Sequence, residues 1–210
     1  MTVLDVPTPG SPAHLAPVEQ TPPKVGPNAI IQTRTALDEL AGAGARRAIF
    51  GAAGLESLAD TDPDAMVDAG IVNALNRQIA ARLDAQTADA VMKRAGELTG
   101  DYILANRIPK AAQWLLKHLP SDVAQRVLLA AIARNAWTFA GNAHVERGPD
   151  FIAIHDNPIC LGRNGFSSCI WHAAVFRRLF QTLVDPAITI HETECAGRDG
   201  RMCRFEIVRV

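Results

Sequence analysis

No stretch of this 210-residue sequence runs for 18 apolar residues without a charge, and its first residues, MTVLDVPTPG, lack both the basic start and the apolar run of a signal peptide. No transmembrane segment is expected, and the chain reads as cytoplasmic. Charge is also sparse: 20% of residues carry one, and they sum to -1. That balance leaves no basic footprint for nucleic acid or an anionic membrane surface. A redox-nucleotide fingerprint is missing too. GAGARRAIFGAAG offers Gly42 and Gly44, but it has no third glycine in register and no strand before it. Cysteine is absent until Cys160, after which four occur, the last at Cys203. In a reducing compartment such crowding points to a local site rather than to structural disulfides. At 22.5 kDa the chain can bury a substantial core without covalent staples.

Residues 1–29 hold seven prolines and few large apolar residues, so they read as a flexible leader, or as a short docking arm. The remainder, 30–210, reads as one domain. From about 33 to 142 the apolar spacing is helical. Asp62 with Pro63 and, later, Thr87 look like helix starts, Pro109 and Pro120 frame a short helix, and Ser121 opens an apolar helix running to Gly141. Over 143–210 the period changes: NAHVERG and PDFIAIHD alternate around Gly148-Pro149, SSCIWHAAVFRRLFQTLV is helical, and AITIHETEC with RMCRFEIVRV reads as a hairpin. Helices followed by strand-strand-helix-strand-strand predict an α+β fold, with helices packed on a small antiparallel sheet.

The C-terminal stretch HETECAGRDGRMCRFEI poses the main chemical question. On a hairpin turning near Gly197 to Gly200, Cys195 and Cys203 face each other, and Cys169 opens the preceding helix, where free N–H groups favour a thiolate. Three thiolates with Glu192 would suit a closed, four-coordinate zinc site. Glu192 precedes Cys195 by three residues, an odd offset that regular strand geometry sends to the opposite face, so a bulge is required. Spacing alone equally admits ordinary buried cysteines.

The stretch from ARRAIF through GRMCRFEI resembles the vinyl-4-reductase domain family, which also supplies the sensor part of phenol-responsive bacterial activators and is distantly similar to subunits of a vesicle-tethering particle. Those sensors build a zinc site from a cysteine, a Glu-x-x-Cys, and a further cysteine after seven intervening residues. The resemblance thus implies a structural Zn2+ held by Cys169, Glu192, Cys195 and Cys203. Overall length and NPICLGRNGFSSCIWHAAVFRRLFQTLV are most similar to the BchJ-type bacteriochlorophyll biosynthesis proteins of purple phototrophs.

That resemblance implies a protein binding a tetrapyrrole intermediate, of protochlorophyllide or Mg-protoporphyrin type, and presenting it to a pathway enzyme. Two alternatives remain: the 4-vinyl (8-vinyl) reductase of divinyl protochlorophyllide, and a dimeric scaffold. A reductase needs a hydride donor, and no motif for one is legible. For a binder, Trp114, Trp137 and Trp171 could stack on a macrocycle, His118, His144 or His172 could ligate its magnesium, and Arg163 could meet a carboxylate. Aromatics at helical spacing equally serve as core. A homodimer is expected from the resemblance and from the frequency of symmetric pairs.

Overall fold

The computed structural model describes residues 22–163, 166–198 and 200–209; the expected leader lies outside these as far as residue 21. From Pro22 onward the structure departs from that reading. Lys24–Val25 (β1) pairs antiparallel with Val67–Asp68 (β2). The Gly26 N–H donates to the Thr138 carbonyl at 2.6 Å, and Ala69 N–H to the Pro23 carbonyl. Val25 is buried in the core. Backbone polar groups and one apolar side chain thus find partners, which offsets the entropy of ordering this short segment.

Seven helices follow in the first two thirds of the described chain: α1 (Asn28–Ala52), α2 (Glu56–Asp60), α3 (Ala69–Arg82), α4 (Ala85–Asn106), α5 (Lys110–His118), α6 (Ser121–Arg134) and α7 (Trp137–Ala140). Gly42 interrupts α1 with φ 84° and ψ 159°, a conformation open to glycine. Two caps differ from the sequence reading. Asp68 rather than Asp62 opens α3, accepting from Gly70 N–H, because Val67 and Asp68 are committed to β2 and Asp62 pairs with Arg34. Asp84 rather than Thr87 opens α4, accepting from both the N–H (3.0 Å) and the hydroxyl (2.7 Å) of Thr87. The helix expected to reach Gly141 stops at Arg134. There the Asn135 amide donates back to Ala131 and the Thr138 hydroxyl donates to the Asn135 carbonyl, so side chains compete with the helix ladder.

The second part contains β3 (Val145–Arg147), β4 (Phe151–His155), β5 (Gly162–Arg163), β6 (Phe166–Ser167), α8 (Ile170–Leu183), β7 (Ile188–Glu194) and β8 (Met202–Arg209). Strands β3, β4, β8 and β7 form, in that order, one antiparallel sheet. The β1–β2 and β5–β6 pairs were not anticipated from the sequence. Helix α8 packs against β7, α4 packs on α8, and α1 packs on α4, giving the α+β architecture expected.

The α4–α8 contact is close because α4 presents glycine there. A Cβ on Gly96 would sit 2.4 Å from the Trp171 carbonyl oxygen, and one on Gly100 would sit 2.7 Å from Arg178 Cβ. Arg177–Glu97 (2.8 Å) and Arg178–Asp101 (2.6 Å) pair the same two helices. Phe176, Phe180 and Phe205 fill the space between α8 and the sheet, each worth roughly 1.5–3 kcal/mol of burial. No helix among the described residues is long and apolar enough to cross a membrane.

Candidate metal centre

Register on the terminal hairpin decides which side chains face α8. Partners run Ile190 with Ile207, His191 with Glu206 and Glu192 with Phe205, and then shift so that Glu194 lies opposite Arg204. Thr193 is the extra residue of a β-bulge. The bulge resets parity: Glu192 shares the inner face with Phe205, Glu194 shares the outer face with Arg204, and Cys195 returns inward beside Cys203. The odd offset in the sequence is resolved in this way. Glu194 instead turns to the loop, where its carboxylate accepts from Arg201 N–H at 2.8 Å.

Cys169 stands just before α8 and its N–H donates to the Ser167 hydroxyl. Cys203 lies on β8 opposite Ile154 of β4. A fourth cysteine, absent from the expected ligand set, joins them. Cys160 is carried by the segment after β4, which is held by hydrogen bonds at almost every residue. Asn73 donates to the Pro158 carbonyl (2.6 Å), and the Ser168 hydroxyl donates to that of Ile159 (2.8 Å) while accepting from Leu161 N–H (2.7 Å). Cys160 N–H donates to the Asn157 carbonyl (3.1 Å).

The four sulfurs lie within 4.8 Å of one another. Cys169 Sγ is 3.3 Å from Cys203 Sγ and 3.6 Å from Cys160 Sγ, and Cys160 Sγ is 3.6 Å from Cys195 Sγ. Four thiolates around a tetrahedral zinc, at about 2.3 Å each, stand about 3.8 Å apart. The cluster therefore has the dimensions and the donor type of a metal centre. Cys169, Cys195 and Cys203 are fully buried and Cys160 is partly so.

Packed thiols share protons unequally. The hydrogen bond from Cys169 favours ionisation of Cys195, whose pKa falls to about 5, and the bond from Cys160 likewise lowers Cys203. Cys169, donating to its neighbours, is pushed well up. A divalent cation would relieve this competition by letting all four ionise.

Glu192 stands at the rim of the cluster. Its Oε1 accepts from the Ser167 hydroxyl (3.3 Å), which is also 3.5 Å from Cys195 Sγ, and its Oε2 is 3.5 Å from Arg198. Burial pushes this carboxyl up to about 7, with the Cys195 sulfur adding to the effect. Cys160 and Ser167 are the residues that sequence reasoning missed here. A cysteine nine positions before Cys169 was visible, but the β5–β6 turn that folds it back was not.

The aromatic and basic candidates are not gathered into one pocket. Trp171 is buried, and its indole N–H meets no acceptor among the described residues. His172 is buried among Phe139, Trp171, Phe176 and Phe205, and neither ring nitrogen is bonded among the described residues. Trp171 lines a cavity of about 10 Å³ with Thr33, Asn76, Met92, Ile159 and Ser168, enough for a single water molecule. Trp137 and His144 are exposed, and His144 lies beside His155 at 5.3 Å between ring centres. Trp114 and His118, one turn apart on α5, stack at 4.3 Å and are exposed. Arg163 lies on β5, and its side chain is outside what the structure describes.

Comparison with known proteins gives this geometry a setting. The vinyl-4-reductase domain family matches residues 150–209, the span that holds all four cysteines. The "bacteriochlorophyll synthase 23 kDa chain" of Cereibacter sphaeroides is 39% identical over 190 residues, covering 88% of this chain and 90% of that protein. The protein of the same name from Rhodobacter capsulatus is 40% identical over 188 residues, covering 87% and 86%. Among solved structures, one from work on heme distortion in the H-NOX family superposes with TM-score 0.51 at 10% identity, over 86% of this chain and 92% of that one. A mutant of the T. tengcongensis H-NOX gives 0.53 at 10% identity, over 87% and 95%. The structural likeness speaks for the fold, whereas identity near 40% along most of both sequences speaks for descent: this chain belongs to the family of the bacteriochlorophyll synthase 23 kDa chain, with a vinyl-4-reductase domain at its C-terminal end.

Proposed function

We propose that this chain serves bacteriochlorophyll biosynthesis by binding a tetrapyrrole intermediate, of protochlorophyllide or Mg-protoporphyrin type, and presenting it to a biosynthetic enzyme. In this reading it is a cytoplasmic homodimer whose sulfur cluster holds a structural zinc. The observation that carries the proposal is the 39–40% identity to two proteins named for bacteriochlorophyll synthase. The H-NOX neighbours, one of them described by its heme, add that such a fold is compatible with a macrocycle.

The Trp114–His118 stack is the part of the candidate set whose chemistry best fits this role. His118 Nδ1 lies 2.7 Å from the Trp114 carbonyl oxygen. A carbonyl only accepts, so in the neutral ring Nδ1 carries the proton and Nε2 keeps its lone pair. An exposed imidazole with Nε2 free is an axial ligand for magnesium, and the adjacent indole offers a stacking face. The buried cavity at Trp171, by contrast, is too small for a macrocycle.

The test is a titration of the purified full chain with Mg-protoporphyrin monomethyl ester and with divinyl protochlorophyllide plus NADPH. A stoichiometric shift of the pigment spectrum without product, weakened about tenfold or more in His118→Ala, is the expected result. Reduction of the vinyl group with no added partner would overturn the carrier reading in favour of a reductase. Absence of any spectral shift would overturn tetrapyrrole binding.

A further inference from the structure

We propose that Cys160, and not Glu192, is the fourth metal ligand in this chain, so that the centre is all-thiolate and the segment 156–161 is tied to the metal. The inference rests on the zinc reading above and departs from the ligand set that the family resemblance implies.

Three observations carry it. Cys160 Sγ already occupies a vertex, 3.6 Å from both Cys169 Sγ and Cys195 Sγ, close to the edge of a zinc tetrathiolate of about 3.8 Å. The segment bearing it is fastened on both sides, by Asn73 to Pro158 and by Ser168 to Ile159 and Leu161, so the vertex is built rather than accidental. Glu192, meanwhile, has both oxygens engaged elsewhere, one by the Ser167 hydroxyl and the other facing Arg198. With four thiolates present the metal needs no fifth anion, and Glu192 becomes a positioning residue that acts on Cys195 through Ser167.

The assignment changes what the metal does. With Cys169, Cys195 and Cys203 alone it would join only the start of α8 to the terminal hairpin. With Cys160 it also anchors the chain leaving β4, whose next residue back, Ile159, lines the cavity beneath Trp171. Metal occupancy and order in the 156–161 segment are thereby linked.

Zinc-edge X-ray absorption of the zinc-loaded full chain decides the matter. The expected result is four sulfur neighbours at about 2.3 Å in the parent, three sulfurs and one lighter atom in Cys160→Ser, and four sulfurs unchanged in Glu192→Gln. Hydrogen exchange gives a second readout: amides of 157–161 should exchange about tenfold faster in Cys160→Ser and no faster in Glu192→Gln. Three sulfurs and one oxygen in the parent, or loss of a neighbour in Glu192→Gln, would overturn the assignment of Cys160 while leaving zinc in place. A parent protein that takes up no zinc would overturn the zinc reading itself. The parent and Glu192→Gln spectra suffice to fix the ligand set even where Cys160→Ser fails to fold.

Discussion

Two tryptophan–histidine pairs occur in this molecule, and they live in opposite surroundings. Trp114 and His118 stack on the exposed side of α5, where water reaches the ring nitrogen that the backbone does not hold. Trp171 and His172 open α8, buried beneath α4 and beside the sulfur cluster, with indole and imidazole nitrogens left without partners among the described residues. The same residue types thus serve different ends. The inner pair is part of the scaffold beside the sulfur cluster, and the outer pair is available to a ligand.

That contrast can be tested from its buried side first. Cys203→Ser removes a fully buried donor from the cluster and should cost on the order of 5 kcal/mol of stability together with the bound zinc, read by chemical unfolding and by elemental analysis. Unchanged zinc content would break the link between the inner region and the metal. Acid provides the next largest effect. Burial holds His172 down at about 4, against the nearby charge of Cys203, which raises it. An unfolded histidine titrates near 6.5, so below that pH the unfolded chain gains a proton that the folded chain refuses. The stability is fully present above about pH 6.5 and should fall by about 2 kcal/mol between about pH 7 and pH 5, a slope that His172→Phe should flatten. An identical slope in the variant would show that His172 is not the group responsible. The smallest effect belongs to the outer pair: Trp114→Ala should leave unfolding within about 0.5 kcal/mol of the parent, because the ring is 62% exposed. A large loss there would make the two pairs alike.

Much of the fold was legible because amphipathic period and turn chemistry agree. The frames Pro109 and Pro120 bound α5, and Gly148-Pro149 joins β3 to β4, as read. The start of α3 was misplaced because Asp62-Pro63 carries a strong local signal, while the competing strand pair at Val67–Asp68 depends on residues more than forty positions earlier. The bulge before Cys195 was inferable, since Glu192 and Cys195 could share a face only with an extra residue. Cys160 was not recognised because its approach to Cys169 depends on a turn whose sequence, GRNGFSS, reads simply as loop. Helical spacing placed Trp114 and Trp171 on helices without revealing which was buried. That distinction arises from packing between α4 and α8, where Gly96 and Gly100 permit a close approach.

The bulge at Thr193 has a consequence for how such a centre is gained or lost. Deleting that single residue would leave β7 long enough to pair with β8, yet it would exchange the faces of Glu194 and Cys195, swinging a carboxylate inward and a thiol out to water. A one-codon change could therefore erase the metal centre while preserving the sheet, so a shift in strand frame can remove a ligand even when every cysteine is still encoded.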